Sequence, residues 1–280
     1  MTRLTMADGV GYSVSVEGSG RPLLLLHGFT GSGATWTPHL PVLGRDRRTI
    51  TVDLLGHGES DAPPSVRHAV ELQAADLAAI LHRLDAAPAD VIGYSLGARV
   101  ALRLAIDSPG VVDRLILESP TAGIADSQER ATRRDSDRRW VDQLESGDLD
   151  GFARDWAVQP IFANHARLSP EARARLASQR RANRPEGLTG SLLGAGQGVM
   201  APMHDRLRDI HAPTLVISGR LDPRGTERAA EVAAGIPDAA HEIVADAGHA
   251  PHVESPDEFR ALVLDFLATP VASATPSATT

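Results

Sequence analysis

The chain has 280 residues and a net charge of −8, which is room for one or two domains with a sizeable core. Its 28 basic residues are all Arg and Cys is absent. That composition excludes Schiff-base, pyridoxal-anchoring and P-loop lysine chemistry, thiolate nucleophiles, disulfides and Cys-ligated metals, and the acidic balance argues against a nucleic-acid partner.

Short apolar runs bounded by Gly, Pro and Asp alternate with helical patterns, the signature of a mostly parallel α/β sheet. Residues 11–16 alternate as a half-exposed strand, and 22–26 are a continuous apolar run that reads as a buried one. A strand over 49–53 precedes a helix over 69–84, whose apolar positions are Val70, Leu77, Ile80, Leu81 and Leu84. A short strand at 90–92 runs into Gly93-Tyr94-Ser95-Leu96-Gly97 and a helix over 98–106, and 114–118 is the next strand. From 121 to 209 the sequence is helical, charged and Trp-bearing, with no strand predicted. Alternation resumes with a strand at 214–218, a helix over 225–234, a strand at 241–244 and a closing helix over 256–267. The expected organisation is an α/β core over 1–120 and 210–267, interrupted by a helical lid insert over 121–209. Residues 268–280, Ala/Thr/Ser/Pro without periodicity, read as a disordered tail. No run approaches the ~20 apolar residues of a membrane span. Asp8 and Gly9 stand where a signal peptide would be apolar, so the expected location is the cytoplasm, away from membranes.

Gly93-x-Ser95-x-Gly97 between a strand and a helix is the pattern of a nucleophile elbow, in which the glycines permit a turn that strains and exposes the serine. A serine hydroxyl needs a base, and the base an orienting acid. His249, in Asp246-Ala-Gly-His-Ala-Pro-His252, follows the last strand and is favoured over His252, which lies beyond the turn. Asp222, beyond the strand at 214–218, is favoured as the acid because a loop past the strand end can reach the histidine; Glu118 is the competitor. The oxyanion donors are expected to be the amides of Leu96, after the nucleophile, and Phe29, in the loop His27-Gly-Phe-Thr-Gly-Ser-Gly33. His27 and His57 read as structural residues of their own turns.

With these motifs in this order, the core resembles the α/β-hydrolase superfamily, which implies the α/β-hydrolase fold: a mostly parallel central sheet with helices on both faces. The reaction is not fixed by that likeness.

Arg99 lies one helical turn after Ser95 and on nearly the same face, a fixed cation suited to a substrate carboxylate. Between 130 and 184 there are 12 Arg against 8 acids, whereas the remainder holds 16 against 28. Within this basic insert Arg130, Arg133, Arg134 and Arg138 share helical spacing, and aromatic residues stand beside the arginines. Gly-Tyr94-Ser-Leu-Gly-Ala-Arg99, the Glu129-Arg-x-x-Arg-Arg134 run, Trp156 with Gln-Pro-Ile-Phe-Ala163, Arg181-x-Asn183 and Ser191-Leu-Leu-Gly-Ala-Gly-Gln-Gly198 resemble the SHCHC synthases of menaquinone biosynthesis. That resemblance implies elimination of pyruvate from an enolpyruvyl cyclohexene tricarboxylate, with Ser95, His249 and Asp222 abstracting a ring proton. It further implies that Arg99, Arg133 and Arg181 bind carboxylates, that Tyr94 and Trp156 line the pocket, and that no cofactor or metal is needed. The sequence departs from the family at Ala98, where glycine is usual, and at Pro223-Arg224-Gly225, where a lysine–aromatic pair is usual. The alternative reading is a serine hydrolase, a carboxylesterase or C–C bond hydrolase, working through an acyl-enzyme on the same triad. The expected partner is a small anionic organic molecule, and the expected assembly a monomer or weak homo-oligomer.

Overall fold

The Leu-, Val- and Ile-rich runs become the strands of a single eight-stranded sheet in the computed structural model, which describes residues 1–269. In chain order the elements begin with β1 (Thr2–Thr5), β2 (Gly11–Glu17), β3 (Arg21–Leu26), the short helix α1 (Leu40–Leu43), β4 (Arg47–Val52) and α2 (Val70–Arg83). Next come β5 (Ala89–Tyr94), α3 (Leu96–Asp107) and β6 (Val112–Glu118), then the helices α4 (Ser127–Glu145), α5 (Leu149–Ala157), α6 (Pro170–Arg181) and α7 (Pro185–Ala195). The chain closes with β7 (Thr214–Gly219), α8 (Pro223–Gly235), β8 (Ala239–Val244), α9 (Pro251–Glu254) and α10 (Pro256–Ala268). The sheet order is β1-β2-β4-β3-β5-β6-β7-β8, with β1 and β2 antiparallel to their neighbours and the remaining pairs parallel.

The central strands read as unbroken apolar runs because helices cover both of their faces. Leu23, Leu24, Leu25 and Leu26 are fully buried, with Leu24 and Leu26 in one core layer and Leu23 and Leu25 in the other. The segment between β6 and β7 contributes α4 to α7 and no strand, and builds its own apolar cluster around Trp140, Phe152, Trp156 and Phe162. No helix among the described residues is long and apolar enough to cross a membrane.

Four differences from the sequence expectation have identifiable reasons. β1 has no apolar signature because it is a solvated edge strand, exposed at three of its four residues. α3 and α8 each start two residues early. Leu96 follows the strained elbow directly, and Asp222 caps α8 with Pro223 at the first helical position. Ala268 ends α10, so the tail expectation begins inside a helix, and from 270 onward it falls outside the described residues.

Several histidines are buried within the fold as neutral groups. Burial holds His27, His39, His57 and His68 below the ordinary value of 6.5, His39 down to about 3. Below 6.5 the unfolded chain takes up protons that the native state refuses, so these groups lower stability as pH falls and are without effect above it. The thermal midpoint measured by calorimetry is therefore expected to be level above 6.5 and to fall steadily toward about pH 5; a level midpoint across that range would contradict the burial of these rings as neutral groups.

Candidate active site

Ser95 sits between β5 and α3 at φ 50°, ψ −102°, a left-handed conformation that costs an L-residue on the order of 1–3 kcal/mol. The turn is held because a side chain at either glycine is sterically forbidden. A Cβ on Gly93 would meet the backbone of Gly97 and Ala98, and one on Gly97 would meet the carbonyls of Leu26 and His27. The Ser95 amide donates to Glu118 O at 2.9 Å, tying the turn to β6.

The serine hydroxyl lies 3.1 Å from His249 Nε2, and His249 Nδ1 lies 2.9 Å from Asp222 Oδ2. This order of bonds places the ring proton on Nδ1 and leaves Nε2 free to accept from the hydroxyl. Burial raises the Asp222 pKa, but the hydrogen bond and charge of His249, with the Gly225 amide 3.0 Å from Oδ1, outweigh it and hold the carboxyl below its usual value. The array can pass a proton from serine to histidine while the carboxylate stabilises the resulting imidazolium.

Leu96 is the first residue of α3, so its amide has no intrahelical partner, and the Phe29 amide donates to no protein group among the described residues. His27 shapes the Phe29 loop: Nδ1 donates to Gly28 O at 2.7 Å and Nε2 accepts from the Leu54 amide at 3.0 Å. His57 bonds within its own turn, to Leu55 O. A cavity of about 600 Å³ opens over Ser95 and His249, with Phe29 and Trp156 in its wall.

The sequence matches the family described as alpha/beta hydrolase fold over residues 21–256. The chain belongs to the α/β-hydrolase family. A Bacillus subtilis (strain 168) protein, named provisionally as a 2-succinyl-6-hydroxy-2,4-cyclohexadiene-1-carboxylate synthase, is 38% identical over 94% of this chain and 97% of its own. A Salmonella paratyphi C synthase of the same name is 33% identical over 84% and 88%. The solved structure of MenH from S. aureus superposes with a TM-score of 0.87 at 29% identity, covering 91% of this chain and 97% of that one.

Of the substrate-binding residues expected of this α/β hydrolase, Tyr94, Arg99, Arg133 and Trp156 line the cavity. Arg181 does not. It is 49% exposed and paired with Asp150 at 2.9 Å, because it occupies the outer face of α6. Its neighbour Arg180 points inward instead, buried and 5.5 Å over the Phe162 ring. Asn183 is buried too, its amide donating to Thr30 O at 2.9 Å and so tying the helical segment to the Phe29 loop.

Arg99 is 6% exposed and makes no ion pair among the described residues. It donates to Ala195 O, the last carbonyl of α7, and lies 3.4 Å from Met200 Sδ. Burial, with the charge of Arg133, pushes its pKa down to about 9, and Asp137 opposes the shift. The rest of the expected cationic stripe is engaged elsewhere: Arg130 with Ile124 O and Ala125 O, Arg134 with Gly198 O, Arg138 with Asp142.

Two supports of the His249 loop went unread in the sequence. The carboxylate of Glu254, nearly buried, accepts the Gly248 amide at 2.7 Å and the Ala250 amide at 2.9 Å, one on each side of His249. The competing candidates His252 and Glu118 pair with each other at 2.8 Å, and Glu118 also accepts the His252 amide. The only signal for Glu254 was a carboxylate five residues after His249, which fits a one-turn helix folding back. Glu254→Gln leaves one acceptor for two amides, so the turnover number is expected to fall by about tenfold at constant KM. Steady-state kinetics at saturating substrate checks this, and an unchanged turnover number would strip Glu254 of a positioning role.

Proposed function

We propose that this α/β hydrolase is a cofactor-independent carbon–oxygen lyase that eliminates pyruvate from an enolpyruvyl cyclohexene tricarboxylate, yielding 2-succinyl-6-hydroxy-2,4-cyclohexadiene-1-carboxylate. The observation that carries this reading is Arg99: a buried guanidinium in the cavity, one helical turn from Ser95, which makes no ion pair among the described residues and is only partly offset by the charge of Asp137. Such a charge is costly to keep dry unless an anion meets it. The names carried by the two bacterial relatives support the same reaction.

In this reading Ser95 gives its proton to His249 Nε2, and Oγ takes the ring proton beside the succinyl ketone. Negative charge moves onto the ketone oxygen, where the amides of Phe29 and Leu96 are placed to receive it. The electron pair returns through the ring, a second double bond forms, and the ring C–O bond breaks. The enolpyruvate leaves and becomes pyruvate by taking at carbon the proton that His249 holds, which restores the neutral imidazole. Asp222 stabilises the imidazolium formed midway. Arg99 and Arg133 bind substrate carboxylates, and Tyr94 and Trp156 form apolar walls. The segment 121–209 serves as a lid over this core.

The hydrolase reading draws on the same hydroxyl and amides, which suit an acyl-enzyme equally well, so substrate charge decides between them. The purified protein is expected to release pyruvate from the tricarboxylate with a rise in diene absorbance, and Ser95→Ala to abolish this. Arg99→Gln is expected to lower kcat/KM for the tricarboxylate by about 10- to 100-fold while leaving any hydrolysis of a short neutral ester unchanged. Release no faster than the spontaneous reaction, beside rapid hydrolysis of p-nitrophenyl acetate, would establish the esterase instead.

A further inference from the structure

Arg181 faces solvent, which leaves two of the expected arginines, Arg99 and Arg133, in the cavity for a substrate with three carboxylates. A third cation comes from a different element. Arg228, on α8 and half-buried, extends Nη1 to within 3.4 Å of Gln197 Oε1. Arg133, on α4, extends its own Nη1 to the same oxygen, also at 3.4 Å. The two guanidinium nitrogens are thus no farther apart than twice that distance. Two cations converging on one neutral oxygen at such a length is a weak arrangement, since charge-assisted bonds to a carboxylate close to about 2.7–2.9 Å.

The charges on the two sides are unequally compensated. Arg133 Nε is held by both oxygens of Asp137, at 2.9 and 3.0 Å, whereas Arg228 makes no ion pair among the described residues and acts on Asp222 only through space. A second cavity of about 450 Å³ adjoins the first, and Arg133, Trp156, Ile161, Arg224 and Arg228 line both. The convergence point therefore stands in the wall common to the two spaces.

We propose that Arg133 and Arg228 form a carboxylate clamp between the helical segment and the core, with Gln197 Oε1 marking the position an anion oxygen takes. The ligand class is an organic polycarboxylate, one carboxylate of which displaces the Gln197 amide and accepts from both guanidiniums. The clamp rests on the lyase reading for the identity of its natural ligand, and not for its geometry. Arg224, at the rim and exposed, adds long-range attraction without a fixed contact.

Two measurements separate the clamp from the reaction. The first is equilibrium binding of benzene-1,3,5-tricarboxylate to the full chain, followed by Trp fluorescence, since Trp156 borders both cavities. Arg228→Gln is expected to weaken binding about tenfold and Arg228→Lys to restore part of it, because an ammonium supplies charge without the planar fork. The second is steady-state pyruvate release, where Arg228→Gln is expected to raise KM about tenfold with little change in kcat. Equal affinity of the wild-type and Arg228→Gln proteins for the probe, or no binding by the wild type, would overturn the clamp whatever the turnover. Arg228-dependent binding in a protein that releases no pyruvate would uphold the clamp and reject the lyase.

Discussion

The closeness of β3, β5 and α3 around Ser95 is the constraint on which the site depends. Neither Gly93 nor Gly97 has space for a Cβ, and the serine between them is held in a left-handed conformation. No local preference of a serine produces that geometry; the surrounding sheet and helix impose it. Once imposed, it fixes three things together. The hydroxyl stands at the carboxyl end of the parallel strands, the Leu96 amide begins a helix with no partner, and Arg99 arrives one turn later on the same face. An exposed hydroxyl, an amide without a helical partner and a cation thus follow from one short turn and the helix it starts.

The second layer is the way charge is distributed over an acidic protein. Basic residues gather between 130 and 184, yet most of the regular stripe on α4 serves the helical segment itself, satisfying carbonyls and carboxylates there. The arginines that reach the cavity are few, and they come from different elements: Arg99 from the core helix after the serine, Arg133 from α4, and Arg224 and Arg228 from α8. Arg99 also binds the last carbonyl of α7, where the helix dipole favours a cation. One guanidinium is therefore both a bolt between the core and the helical segment and part of the cavity wall.

The fold was largely legible because buried parallel strands and amphipathic helices leave strong periodic signals, and the elbow, acid and histidine fall in their expected order after particular strands. Arg181 shows where such reading stops. In α6 the sole buried residue is Arg180, so no apolar stripe sets the phase of the helix, and the sequence cannot tell which of two adjacent arginines faces inward. Glu254 and Arg228 were hidden for a related reason: each acts through a contact that exists only after separate elements pack. His252 and Glu118 are instructive in the opposite sense. The weaker candidates for base and acid are real partners, but of each other, in a dry pair beneath Tyr94 that pins the loop next to His249.

Asp222 has a second duty that bears on how this site can change. Oδ2 meets His249, while Oδ1 accepts the Gly225 amide as the cap of α8, the helix that carries Arg228. Losing a capping side chain costs a helix about 1 kcal/mol. An alanine here would therefore mix two effects, a histidine set adrift and a loosened arginine wall. Asparagine caps as well as aspartate and so retains the helix start while removing the negative charge. In this molecule, the residue that bonds His249 and the one that caps the helix in the cavity wall are the same, and neither contact can drift without the other.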